Sequence, residues 1–188
     1  MKSQLWTAPN QLTLLRLFFV PFVIINVLDG NFGWALGLFV LAALSDGLDG
    51  LLARLLEQKT TLGQYLDPLA DKLLLSSLFL VLSFTHYIPW KYTVLVFLRD
   101  ISILVVAAVL YATTNVRDFR PSIFGKLNTT AQVGAVFFVL LAQIRPELWI
   151  QAARQILLYS TFALTLVSGI HYSIIVGHRL HAPDKIAR

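Results

Sequence analysis

Residues 33–56 read GWALGLFVLAALSDGLDGLLARLL. As a helix, an apolar run of this length spans roughly 30 Å, the thickness of a bilayer's hydrocarbon core. Its second half nevertheless carries Asp46, Asp49 and Arg54, groups that cost several kcal/mol at membrane depth unless they are paired or hold an ion. Gly47 and Gly50 interleave with the aspartates and each sacrifices about 1 kcal/mol of helix propensity. That sacrifice makes sense where a ligand must approach the backbone closely.

Working outward, five further stretches have the same apolar character, so the sequence predicts an all-α integral membrane protein of six transmembrane helices. The first span runs from about Asn10 to Leu28 and ends at Asp29-Gly30-Asn31, and the second occupies residues 33–56. The third follows Asp67-Pro68, with Asp67 as N-cap and Pro68 in the first helical position, and ends near His86. The fourth runs from about Trp90 to Ala112, the fifth from Ser122 to Ala142 and the sixth from Ile150 to Val176. Residues 1–9, with Leu5 and Trp6 beside Lys2, suit a short interfacial segment. Arg16 interrupts the first apolar run and no small-residue cleavage site follows, which reads as a retained span. The whole chain, 1–188, reads as one membrane domain without linker, repeat or low-complexity stretch.

Composition agrees. Of 188 residues, 57% are hydrophobic and 13% charged, against about a quarter charged in a soluble domain. Cysteine is absent, which excludes disulfides, thiolate zinc sites and cysteine nucleophiles. The net charge of +5 suits anionic headgroups or phosphorylated substrates rather than nucleic acid. Lys2, Arg54, Lys59, Arg117, Arg120, Lys126, Arg179, Lys185 and Arg188 collect on one side of the six-span arrangement, with Lys91, Arg145 and Arg154 on the other. The positive side is cytoplasmic, so both termini and the acidic cluster face the cytoplasm. A compact chain of this kind suits a bacterial inner membrane. Trp6, Trp34, Trp90 and Trp149 fall near span ends as an aromatic belt, and His86, His171, His178 and His181 read as interfacial.

Four of the ten acidic residues, Asp46, Asp49, Asp67 and Asp71, lie within 26 positions. Asp46 and Asp49 are three apart and Asp67 and Asp71 four apart, so each pair occupies one helix face. A short loop joining antiparallel spans can bring all four together, where their mutual repulsion demands neutralisation. Oxygen-only ligands favour Mg²⁺, Mn²⁺ or Ca²⁺, and shared carboxylates can hold two such ions at roughly 4 Å, as in phosphoryl-transfer sites.

Asp46-Gly47-Leu48-Asp49-Gly50-Leu51-Leu52-Ala53-Arg54, eight residues, Gly63, three residues, Asp67, three residues and Asp71 resemble the whole signature of the CDP-alcohol phosphotransferase family. Asn10, Thr13 and Arg16 resemble the Asn-x-x-Thr-x-x-Arg element of its phosphatidylglycerophosphate synthase and cardiolipin synthase members. The resemblance implies attack of a hydroxyl on the β-phosphorus of CDP-diacylglycerol with departure of CMP. It also implies two divalent cations, Mg²⁺ or Mn²⁺, on Asp46, Asp49, Asp67 and Asp71, with Asp71 as the base. Asn10, Thr13, Arg16, Gly47, Gly50, Ala53, Arg54 and Gly63 would form the CDP-lipid pocket, and the family likeness suggests a homodimer.

The acceptor must be read elsewhere. Arg99-Asp100 and the stretch from Gly125 through Lys126 and Asn128 to Thr129 resemble the glycerol-lipid branch. There, phosphatidylglycerophosphate synthases show Arg-Glu and Gly-Lys-x-Lys-Thr, and cardiolipin synthases Arg-Asp and Ser-Lys-x-Asn-Thr. Asn128 in place of lysine removes a charge that dianionic glycerol 3-phosphate would welcome and singly charged phosphatidylglycerol needs less. Phosphatidylglycerol is the preferred acceptor on this ground and glycerol 3-phosphate the alternative, with Arg99, Arg117, Arg120, Lys126 and Asn128 as acceptor-binding residues. The plainer readings are helix caps for the aspartates, a packing pair for Arg99-Asp100 and a snorkelling anchor for Lys126. A divalent-cation carrier is the non-enzyme rival, but its acidic residues would have to continue across the bilayer. A metal-dependent lipid phosphatase would leave the acceptor residues without a purpose.

Overall fold

The computed structural model describes residues 8–55, 61–113 and 123–181, and side chains at 11, 13–45, 70, 72–102, 123 and 125–170. These residues form six helices: α1 (Ala8–Leu28), α2 (Phe32–Leu55), α3 (Thr61–Phe84), α4 (Trp90–Thr113), α5 (Ile123–Ile144) and α6 (Leu148–His181). Each matches one of the expected segments, and among the described residues there is no strand.

Two chain reversals share one device. At the end of α1, Gly30 N–H donates to Val27 O at 3.2 Å and Asn31 N–H to Asn26 O at 2.8 Å, with Gly30 at φ 73°. This is the paired 5→2 and 6→1 closure of a helix whose next residue turns left-handed. At the end of α3 the same pattern recurs, with His86 N–H on Ser83 O and Tyr87 N–H on Leu82 O, and His86 at φ 63°. His86, expected only to be interfacial, therefore closes a helix in a conformation that costs a non-glycine residue about 1–2 kcal/mol.

The start of α3 departs from expectation. The helix begins at Thr61, so Asp67 and Pro68 lie inside it rather than at its cap. Leu62, Leu66, Leu69 and Leu73 continue a helical period straight through Pro68, and that pattern outweighs the local stop signal. Proline's missing N–H is tolerable here as it is in membrane helices generally. Pro21 lies inside α1 in the same way. α6 also extends past the expected Val176 to His181.

The short connections make successive helices antiparallel. α1 packs against both α2 and α3, α2 also against α5, α3 against α4 and α5, and α6 against α5 and α4. Val23 and Val27 of α1, Phe39 of α2, Leu78, Phe79 and Leu82 of α3, Val96 of α4, Val136 and Leu140 of α5 and Leu158 of α6 form one apolar core. Thr93 Oγ1 donates to Phe79 O at 3.1 Å and meets Ser83 Oγ, pinning α4 to α3. At the end where α3 meets α4, Arg154 of α6 donates through Nη2 to Tyr87 O.

The outer surface is apolar as well. Phe18, Leu41, Leu73, Leu98, Leu127 and Ile170, one from each helix, are exposed, an arrangement suited to hydrocarbon and poorly suited to water. Among the described residues, Gly125–Ile144 and Leu148–Ile170 are long and apolar enough to cross a membrane, and Thr13–Leu28, Phe32–Ser45 and Lys72–Phe84 are shorter apolar runs. Trp34, Trp90 and Trp149 are exposed in the first turns of α2, α4 and α6. By the antiparallel order these turns share one end of the bundle, opposite the aspartates.

Candidate active site

Helix order alone collects the chemistry at one end. The first half of α1, the second half of α2 and the first half of α3 lie there, bringing positions 10–16, 46–54 and 63–71 to the same end of the bundle. Asp46 and Asp49 occupy neighbouring turns of α2, as Asp67 and Asp71 do of α3. The side chains of Asn10, Asp46, Gly47, Asp49, Gly50, Ala53, Arg54, Gly63, Asp67 and Asp71 lie outside the described set, as do Arg117 and Arg120. Among the described residues no three His, Cys, Asp or Glu side chains gather to hold a metal. On α1, which packs against both aspartate-bearing helices, Thr13 and Arg16 are completely buried. A guanidinium withdrawn from water needs negative charge nearby, and the acidic pairs of α2 and α3 lie at the same end.

The second half of the bundle adds a polar layer. Arg99 Nη1 bonds Asp100 Oδ1 at 2.7 Å, and Lys72 Nζ of α3 reaches the same oxygen at 2.9 Å. The Arg99 and Asp100 side chains are only 10% and 13% exposed. Arg99 Nη2 makes a long contact of 3.4 Å with Ser168 Oγ of α6, and its Nε is buried without a hydrogen-bond partner. Two cations thus share one carboxylate, leaving this cluster a net positive charge. Lys72 thereby ties α3 to α4.

Asn128 of α5 is fully buried, and its Oδ1 accepts from Thr165 Oγ1 of α6 at 3.0 Å. Its Nδ2 has no partner, and neither has Nε2 of Gln132, one turn further along the same face and also buried. A buried, unsatisfied amide donor costs about 1–3 kcal/mol, which calls for an acceptor on a bound molecule. Lys126 differs: it is exposed, and two positions from Asn128 it lies on another face of α5. The described side chains therefore bring Asn128 and Gln132 inward and leave Lys126 outside. Gln132, Thr165 and Ser168 carry no motif of their own. Only the four-residue spacing of Gln132 from Asn128 signalled a shared face.

Comparison with known proteins fits this arrangement. Residues 6–167 match the CDP-alcohol phosphatidyltransferase family. The chain is 36% identical over 157 residues to the cardiolipin synthase (CMP-forming) of Rattus norvegicus, an alignment covering 74% of this chain and 51% of that protein. It therefore spans about half the length of that relative. It is 34% identical over 171 residues to the CDP-diacylglycerol–glycerol-3-phosphate 3-phosphatidyltransferase of Salmonella choleraesuis, covering 87% of this chain and 91% of that protein. A probable phosphatidylglycerophosphate synthase of Mycobacterium tuberculosis is 30% identical over 180 residues, covering 91% and 82%. With the match running through the aspartate-bearing helices and the polar layer behind them, this chain belongs to the CDP-alcohol phosphatidyltransferase family.

Proposed function

We propose that this protein transfers the phosphatidyl group of CDP-diacylglycerol to a glycerol-type hydroxyl, releasing CMP, with phosphatidylglycerol as acceptor and cardiolipin as product. The acceptor oxygen forms a bond to the β-phosphorus while the bond from that phosphorus to the CMP oxygen breaks. CMP leaves with the bonding electrons, and the acceptor's proton passes to the Asp71 carboxylate. The donor set of Asp46, Asp49, Asp67 and Asp71 is all oxygen and fits two hard cations, Mg²⁺ or Mn²⁺. When bound, such ions supply charge neutralisation for the pyrophosphate and the departing CMP. Thr13 and Arg16, with Asn10, Gly47, Gly50, Ala53, Arg54 and Gly63, bind the CDP-lipid in this reading.

The observation that carries the acceptor is the Lys72–Asp100–Arg99 cluster, whose Arg99 contacts Ser168 one turn of α6 from Thr165, the partner of buried Asn128. Its single net positive charge balances the single negative charge of a phosphodiester. A dianionic glycerol 3-phosphate would need a further cation, and position 128 holds a neutral amide. The relative from Salmonella choleraesuis, matched over nearly its full length, favours a second reading in which glycerol 3-phosphate is the acceptor. Arg117, Arg120 and Lys126 could serve that anion.

All six helices cross the membrane in this proposal, with both termini and the aspartates on the cytoplasmic side of a bacterial inner membrane. The exposed tryptophans of α2, α4 and α6 mark the opposite interface. A homodimer is the proposed assembly. The test is an assay of the purified protein in detergent with Mg²⁺ or Mn²⁺ and labelled CDP-diacylglycerol, offering phosphatidylglycerol and glycerol 3-phosphate separately. Cardiolipin from phosphatidylglycerol supports the first reading, phosphatidylglycerophosphate supports the second, and metal flux without CMP release overturns both.

A further inference from the structure

A groove of about 510 Å³ runs between α4 and α6 on the outside of the bundle. Leu98 forms part of its α4 wall and Leu166 and Ile170 part of its α6 wall, and all three are exposed on the bundle's outer surface. Arg99 lines the same groove with nine-tenths of its side chain buried and Nε unpartnered. An apolar trough opening sideways, with an under-bonded guanidinium in its wall, is complementary to an amphiphile whose headgroup is anionic. A water-soluble acceptor would gain nothing from the apolar walls.

We propose that the α4–α6 groove is the lateral dock through which the acceptor phospholipid enters from the bilayer. The phosphodiester of phosphatidylglycerol lies on Arg99, and one acyl chain runs along Leu98, Leu166 and Ile170. The net charge of the Lys72–Asp100–Arg99 cluster selects an anionic over a zwitterionic lipid. This inference rests on the cardiolipin-forming reading above and adds the route by which its acceptor arrives.

Gly169 gives access for a test. It lines the groove, and a Cβ built there meets nothing within 4 Å. The chain contains no cysteine, so Gly169→Cys carries a bimane fluorophore at a unique position. The labelled full-length protein is reconstituted in phosphatidylcholine bilayers and quenched with brominated phosphatidylglycerol or brominated phosphatidylcholine at equal mole fraction. We expect phosphatidylglycerol to be preferred about tenfold, the factor of one charge-assisted hydrogen bond, and the preference to collapse in Arg99→Gln. Arg99→Lys should restore part of it.

Equal quenching by the two lipids would overturn the dock, as would protection from both, which would mean that protein covers the groove. Cardiolipin synthesis without lipid preference would sink the dock and leave the acceptor reading standing. Preference without cardiolipin synthesis would sink the acceptor reading and leave the groove as an anionic-phospholipid site.

Discussion

Thr165 holds the Asn128 carboxamide in place: Thr165 Oγ1 donates to Asn128 Oδ1 at 3.0 Å across the α5–α6 interface, with both side chains buried. The bond orients the amide so that Nδ2 remains the group left for a ligand. Thr165→Val keeps the volume and removes the donor. It should cost about 1 kcal/mol of stability and raise the KM of the acceptor while leaving that of CDP-diacylglycerol unchanged. Steady-state kinetics with each substrate varied in turn checks this; an equal rise for both substrates would detach Asn128 from the acceptor.

Asn128→Lys introduces the cation that the phosphodiester reading says is superfluous. A charge-assisted bond to a second phosphate charge should shift the ratio of glycerol 3-phosphate to phosphatidylglycerol turnover by about tenfold toward the former. Product ratios in a competition assay report it directly.

Asp100 carries two cations, so Asp100→Asn leaves Arg99 and Lys72 without their carboxylate. Stability should fall by about 3 kcal/mol, because a buried charge loses its partner. Lys72→Met should cost under about 1 kcal/mol, since Lys72 is 31% exposed and Arg99 keeps its own bond to Asp100. Thermal unfolding in detergent ranks the two; a larger loss for Lys72→Met would contradict the pairing.

The two left-handed closures give opposite expectations. His86→Gly should stabilise the protein by up to about 1 kcal/mol, since glycine adopts φ 63° without a Cβ penalty. Gly30→Ala should destabilise by a similar amount, although a Cβ there meets no neighbour, because φ 73° is itself the obstacle. Unfolding midpoints of the two variants should move in opposite directions.

Asp71→Asn keeps shape and removes the carboxylate proposed as the proton acceptor. Transfer should fall by about 10²-fold or more while the helical circular-dichroism spectrum is retained. Chelation by EDTA should likewise stop transfer, with recovery on adding Mg²⁺ or Mn²⁺. Wild-type rates in Asp71→Asn would remove it from the base role.

Much of this protein is determined by the order of its residues alone. Six apolar segments become six helices because each needs only local periodicity and length, and Asp29-Gly30-Asn31 ends α1 because glycine supplies the left-handed turn there. The spacing of Asp46, Asp49, Asp67 and Asp71 places each pair on one helix face wherever the helices go. The start of α3 was obscured because Pro68 is a local stop signal that the longer apolar period overrides. The tertiary structure alone decided that Lys72 reaches Asp100, that Gln132 is buried beside Asn128, that Lys126 faces outward, and that a groove opens beside Arg99. In a water-soluble helix the polar face announces which side is outside. Here the outward faces are as apolar as the inward ones, so each helix's rotation about its axis is set by contact with its neighbours and leaves little trace in its own sequence.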